Sequence, residues 1–269
     1  MVKTLLKYEF MGLGRLLTPM YIILVSLSVI TRVIAIFETD ALIYDIILGS
    51  SVGILLIAML VALIYTSVCS VIRFYKNLFS KEGYLTFTLP VSSNGHLLTK
   101  LFTSVVYYLA TFALIIVCFC IATSGELLIE LIKAAGYILG KAGETLGANL
   151  GLYFLEFAIL LLVATCSGML LFYACMCIGQ LAKKNRILLA LGVYFAYYYL
   201  VEIVTTILVI SLTAMEENPV LIKALDWIGN NPIQGIHIAL LAPTVIYIVM
   251  GGVYYLIAHT IMQKKLNLE

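Results

Sequence analysis

The sequence predicts an all-α integral membrane protein with six transmembrane helices and both termini in the cytoplasm. Three observations predict this fold: the composition, six apolar stretches of spanning length, and the distribution of charge. The chain has 269 residues, of which 63% are hydrophobic and 11% charged, and its mean hydropathy is +1.11. A soluble domain carries about 25% charged residues. The net charge of +2 provides no broad basic surface for nucleic acid, so we expect no nucleic-acid partner.

Each predicted span holds enough predominantly apolar residues to cross a bilayer, for which about 20 are needed. The six spans are 19–37, 46–72, 101–123, 152–178, 187–213 and 238–262. We predict that they form a single transmembrane domain over 19–269. Residues 1–18 mix leucines with Lys3, Lys7 and Arg15, a pattern typical of an amphipathic segment in the inner headgroup region. An ordinary basic flank of the first span is the alternative.

The basic residues orient the spans. Only three lie in the predicted outer loops 38–45, 125–150 and 214–236, and Arg32 lies inside the first span. Twelve of the 16 lie on the other side: Lys3, Lys7, Arg15, Arg73, Lys76, Lys81, Lys100, Lys183, Lys184, Arg186, Lys264 and Lys265. Because cytoplasmic loops carry the excess of Lys and Arg, both termini are predicted to be cytoplasmic. We expect a multi-pass protein of the bacterial cytoplasmic membrane.

The longest predicted cytoplasmic segment is 73–100, which is basic and aromatic. After Arg73, an apolar strip at helical spacing is made by Phe74, Tyr75, Leu78 and Phe79, with Lys76 and Lys81 beside it. An aromatic anchor with a basic rim is typical of a protein interface. The alternative is a loop bound to anionic lipid headgroups.

Three ionisable residues lie within predicted spans: Arg32, Glu156 and Glu202. A charged side chain at the centre of a span costs about 2.5–3.5 kcal/mol on insertion scales. Opposite charges at matched depth therefore favour a pair between Arg32 and a glutamate, above all Glu202. Together with Tyr194 and Tyr198, Arg32 and Glu202 are candidates for a substrate pathway, although structural pairing and aromatic packing explain the same residues.

Gly49 and Gly53 form a G-x-x-x-G pattern in the second span, which favours close helix packing within the chain or between subunits. The histidines are scattered, and the cysteine pairs at i, i+2 point to different helix faces, so we predict no metal, cofactor or catalytic site. Residues 136–145 lack the first glycine and the hydroxyl that a phosphate-binding P-loop requires. Any ATP and magnesium must then be bound by another chain.

The run Thr88, Leu89, Pro90, Val91 and Ser92, followed by Lys100, resembles the permease subunits of ABC-2-type ATP-binding-cassette transporters. Six spans, cytoplasmic termini, a long first cytoplasmic loop and a short second one agree with that family over the whole chain. The resemblance implies a coupling helix that docks on a separate ATPase subunit and a complex with two permease chains. The implied coupling residues are Arg73, Phe74, Tyr75, Lys76, Leu78, Phe79, Lys81, Glu82, Gly83 and Tyr84.

The predicted function is therefore that of a permease subunit of an ABC exporter. It would move an amphipathic peptide, lipid or drug, with ATP hydrolysed by a partner ATPase rather than by this chain. A proton-coupled secondary transporter using Glu202, and a scaffold or sensor without transport activity, are the alternatives.

Overall fold

The computed structural model describes residues 2–37, 42–79, 92–123, 150–182, 184–214 and 230–264, together with residues 129, 133, 222, 223, 226 and 227. Across these residues the regular structure is helical and contains no strand. The six long helices are α1 (Val2–Ile36), α2 (Leu42–Phe79), α3 (Ser93–Ala122), α4 (Leu150–Gly179), α5 (Arg186–Ala214) and α6 (Pro232–Lys264). Each contains a section long and apolar enough to cross a membrane, which confirms the predicted helical membrane fold.

Contacts divide the chain into two compact units, with the boundary between Ala142 and Gly143. The first unit holds α1, α2 and α3, all of which pack against one another. Its core has two apolar clusters, one around Leu24, Leu55 and Cys118 and the other around Leu13 and Leu17. The second cluster shows that the N-terminal half of α1 packs in the core, and the site described below lies on this half.

Hydroxyl groups link the three helices of the first unit within their apolar sections. The Thr111 hydroxyl on α3 lies 2.8 Å from the Tyr21 hydroxyl on α1 and 3.0 Å from the Thr66 hydroxyl on α2. Thr66 and Thr111 are both fully buried. Such hydrogen bonds hold membrane helices together where lipid removes the hydrophobic drive for helix association.

The second unit holds α4, α5 and α6, with α4 packed mainly against α6 and also against α5. Its buried residues include Tyr173, Cys177, Ala258 and Met262. The Tyr254 hydroxyl of α6 donates a hydrogen bond to the Tyr197 hydroxyl of α5. Most side chains of α5 are exposed, so few of the described residues cover this helix.

Several helices extend beyond the predicted spans, and the extensions of α1 and α2 reach residues of the site described below. Residues 2–18 form the first half of α1, which continues through Pro19 into the first predicted span. Residues 73–79 complete α2, so they continue the second span instead of starting a separate short helix. A helix propagates as long as its backbone hydrogen bonds are made, whereas the apolar pattern marks only its lipid-crossing section.

Candidate functional site

The best-formed polar site of the first unit is an ion cluster around Glu9, which we call the Glu9 cluster: Glu9, Arg73, Asn77 and Lys100. Arg73 Nε donates to Glu9 Oε2 at 2.8 Å, and Lys100 Nζ donates to Glu9 Oε1 at 2.6 Å. Asn77 Nδ2 donates to the same Oε1 at 3.1 Å. The Glu9 side chain is 8% exposed and that of Lys100 5%. One buried carboxylate thus joins α1, α2 and α3.

Helical spacing places these residues together. Glu9 precedes Leu13 and Leu17 at intervals of four residues, and all three are buried, so Glu9 lies on the core-facing stripe of α1. Arg73 and Asn77 are likewise four residues apart on α2. On α3, Lys100 follows the buried His96 by four residues. Three helix faces therefore converge on one acid.

Neighbouring contacts hold the Glu9 cluster in place. Arg73 Nη2 also donates to the Tyr8 carbonyl at 3.3 Å, and the Tyr107 hydroxyl donates to the Phe10 carbonyl at 2.8 Å. The Phe10 ring packs against the Tyr107 ring at 5.6 Å. A Cβ at Gly12 would overlap the Arg73 guanidinium, so glycine lets that side chain cross α1.

The Glu9 cluster brackets the segment between α2 and α3. Arg73 lies shortly before residues 80–91 and Lys100 shortly after them, and both bind the same carboxylate. The helices on both sides of this segment are therefore joined to α1 through one side chain. Of the implied coupling residues, Lys81, Glu82, Gly83 and Tyr84 lie outside the described residues, as does the motif from Thr88 to Val91.

The aromatic strip at the end of α2 differs from its predicted exposure. Phe74, Leu78 and Phe79 are buried, at 1%, 0% and 4% exposure. Tyr75 is half-buried and Lys76 is exposed. Burial removes the three apolar side chains from any docking surface, because they pack inside this chain. Tyr75 and Lys76 remain as the described coupling candidates that a partner can reach, whereas Arg73 is held by Glu9.

The pathway candidates lie in different places. Tyr194 is half-buried and stacks on Phe172 at 5.1 Å, whereas Tyr198 is 58% exposed. Glu202 is exposed and lines a cavity of 330 Å³ with Tyr199, Ile203, Thr206 and Ile207, all on α5. Arg32 is half-buried on α1 in the first unit. Its pairing with Glu202, which lies in the second unit, stays a prediction.

Glu156 has a partner that the sequence did not identify. His237 Nδ1 lies 2.8 Å from Oε1 and 2.9 Å from Oε2 of Glu156, which joins the second turns of α4 and α6. The Tyr153 ring packs on the His237 imidazole at 4.6 Å, and its hydroxyl donates to the Ile233 carbonyl at 3.2 Å. Glu156, one of the two glutamates considered as a partner of Arg32, therefore pairs with His237.

Gly49 and Gly53 lie on an open face of α2, where an added Cβ would meet no atom within 4 Å. Within the described residues of the first unit, no close packing is made at this pair, and a subunit interface stays a prediction. Among the described residues, no group of three or more His, Cys, Asp or Glu side chains is placed to hold a metal ion.

Comparisons with protein-family models, with curated proteins and with solved structures find no match for this chain.

Proposed function

We propose that this chain is the membrane subunit of an ABC-2-type exporter, powered by a separate ATPase that docks between α2 and α3. The observation that carries the proposal is the Glu9 cluster, in which Arg73 and Lys100, on the two helices that flank residues 80–91, bind one buried carboxylate. Three helices anchored in this way can move as a body when the connection is pushed. The resemblance of residues 88–92 and Lys100 to the family motif supports the same function.

The partner surface consists of Lys76, Tyr75 and the connecting segment. Lys76 is exposed at the last turn of α2, and its positive charge would attract an acidic surface on the ATPase. Two such chains, as one homodimer or heterodimer, would enclose the pathway for an amphipathic substrate. In this proposal, transport takes place across a bacterial cytoplasmic membrane, and only the partner binds ATP and magnesium.

Copurification tests the proposal. Tagged chain, purified in mild detergent from its native host, is expected to retain an ATPase subunit. Lys76→Glu should weaken that association at least about tenfold, since reversing a charge in a complementary interface costs several kcal/mol. Lys184→Glu is the matched control, because Lys184 is also basic and exposed and lies on the same predicted side.

Retention of the ATPase by both variants would remove the docking role from the end of α2. A chain that retains no ATPase, yet drives substrate uptake into vesicles through an imposed proton gradient, would favour the second candidate. That candidate is a proton-coupled transporter, and the exposed Glu202 near the middle of α5 is the observation that favours it.

A further inference from the structure

The exposed face of α5 carries polar chemistry that the proposed coupling role does not use. Tyr199, Glu202, Ile203, Thr206 and Ile207 follow one another at intervals of three, one, three and one residues and line a single cavity. That spacing places all five on one helix face. The cavity, 330 Å³ in volume, is a wide-open depression on this face of α5.

The Glu202 carboxylate determines the charge of the ligand that this helix face can bind. Within the described residues of the second unit, its carboxylate has no ion pair and accepts no hydrogen bond, and only its backbone carbonyl is bonded, by Thr205. The residue lies near the middle of an apolar helix, where an ionised carboxylate without a counter-charge is costly. A cation is therefore the occupant that complements it.

The neighbours of Glu202 select the kind of cation. The Tyr199 ring, one turn away, is 62% exposed and presents an aromatic face that attracts a positive charge. Ile203 and Ile207 are each 59% exposed and flank the carboxylate with apolar surface. We propose that this face binds a hydrophobic cation, such as a protonated amine or quaternary centre with an apolar body, during transport.

This inference rests on the proposed transport function for its role, but the binding itself requires no ATPase. The purified chain in lipid nanodiscs is titrated with tetraphenylphosphonium and, separately, with tetraphenylborate, which has the same shape and the opposite charge. We expect the phosphonium ion to bind saturably above its binding to empty nanodiscs, and the borate to show no binding above that lipid background. Glu202→Gln, which keeps the shape and removes the charge, should weaken phosphonium binding by roughly tenfold or more.

Variants of Tyr199 distinguish the contribution of its ring from that of its hydroxyl group. Tyr199→Leu should weaken binding, and Tyr199→Phe should leave it within about threefold, because a phenyl face still attracts a cation. Thr205→Val is the matched control, since Thr205 is exposed and its hydroxyl bonds only to carbonyls of its own helix. Elution volume on size exclusion checks that each variant is folded.

Three results would overturn the proposal. Equal phosphonium affinity in the wild type and Glu202→Gln would remove the carboxylate from any cation site. A large gain in affinity for Arg32→Ala would show that Arg32 is the resident counter-ion. Loss of a dimer in Glu202→Gln, with no phosphonium binding in the wild type, would mean that a second copy covers this face. Failure to retain an ATPase would count against the transporter and leave the binding result intact.

Discussion

At the residue scale, Glu9 combines a buried position with two cationic partners. Its carboxylate is compensated by Arg73 and Lys100 and by the amide of Asn77. Replacing a whole buried ion network by apolar residues is often tolerated, whereas removing one member leaves a buried charge uncompensated. The cluster is therefore most sensitive to loss of its single acid.

Glu9→Gln should lower thermal stability strongly, because two cations would then face each other without a counter-charge. The expected loss is about 3–5 kcal/mol, measured by thermal unfolding in detergent. Asp45→Asn is the control at an exposed acid, where surface changes stay within about 0.5 kcal/mol. Adding Lys100→Gln to Glu9→Gln should restore part of the loss. Equal stability of Glu9→Gln and Asp45→Asn would show that the cluster contributes nothing.

Gly12→Ala and Gly49→Ala should have opposite effects on stability. Both glycines are inside helices, so each gains about 1 kcal/mol of helix propensity from alanine. The new methyl group meets the Arg73 guanidinium at Gly12 and open space at Gly49. We expect Gly49→Ala to raise the melting temperature and Gly12→Ala to lower it. A rise of the same size in both would show that Arg73 moves aside without cost.

At the scale of elements, hydroxyl contacts align helices whose apolar side chains discriminate little between partners. Thr111 joins α1 to α2 through the Tyr21 and Thr66 hydroxyls.

The sequence located all six helices, because hydropathy over about 20 residues marks a lipid-crossing section. It did not identify the Glu9 cluster. The signal for it was one acid on the same helical stripe as Leu13 and Leu17, in a segment whose other charges are basic.

The partners of that acid were not predictable in the same way. Arg73 and Lys100 are remote from Glu9 in sequence, and which acid they meet depends on the packing of three helices. His237 was likewise treated as an isolated residue, although it meets Glu156 across α4 and α6. Charge placement along a chain predicts the side of the membrane, whereas it does not specify which groups meet.

Thr111→Val should destabilise the first unit by about 0.6–1.7 kcal/mol, the range measured for hydrogen bonds between membrane helices. Valine keeps the shape of threonine and removes both interhelical contacts. Thr205→Val is the control, because that hydroxyl contacts only its own helix. Thermal unfolding of both variants in the same detergent gives the comparison. An equal effect at the two positions would mean that helix alignment does not depend on Thr111.

At the scale of the whole molecule, the Glu9 cluster brings the N-terminal half of α1, the end of α2 and the start of α3 to one end of the first unit. The N-terminal half of α1 and the two helix ends that flank residues 80–91 therefore lie at the same end of the first unit. This agrees with the predicted topology, in which the basic segments are cytoplasmic.

Single cysteines test that topology in a variant whose six native cysteines are replaced by alanine. A membrane-impermeant maleimide added to intact cells should label cysteine at Glu217 or Lys141. It should label Ser92 and Lys184 positions only after the membrane is permeabilised. The reverse pattern would place the termini outside.

The contacts of Glu9 also set an order of events during synthesis. Its partners Arg73, Asn77 and Lys100 follow it by 64, 68 and 91 residues. At 5–20 residues per second, the lysine is made about 5–18 s after the glutamate. The first helix leaves the ribosome with an acid on its core-facing side and before Arg73 and Lys100 have been made. We expect it to reach its final depth only when the third helix arrives, so that the three helices enter the membrane as one cooperative event.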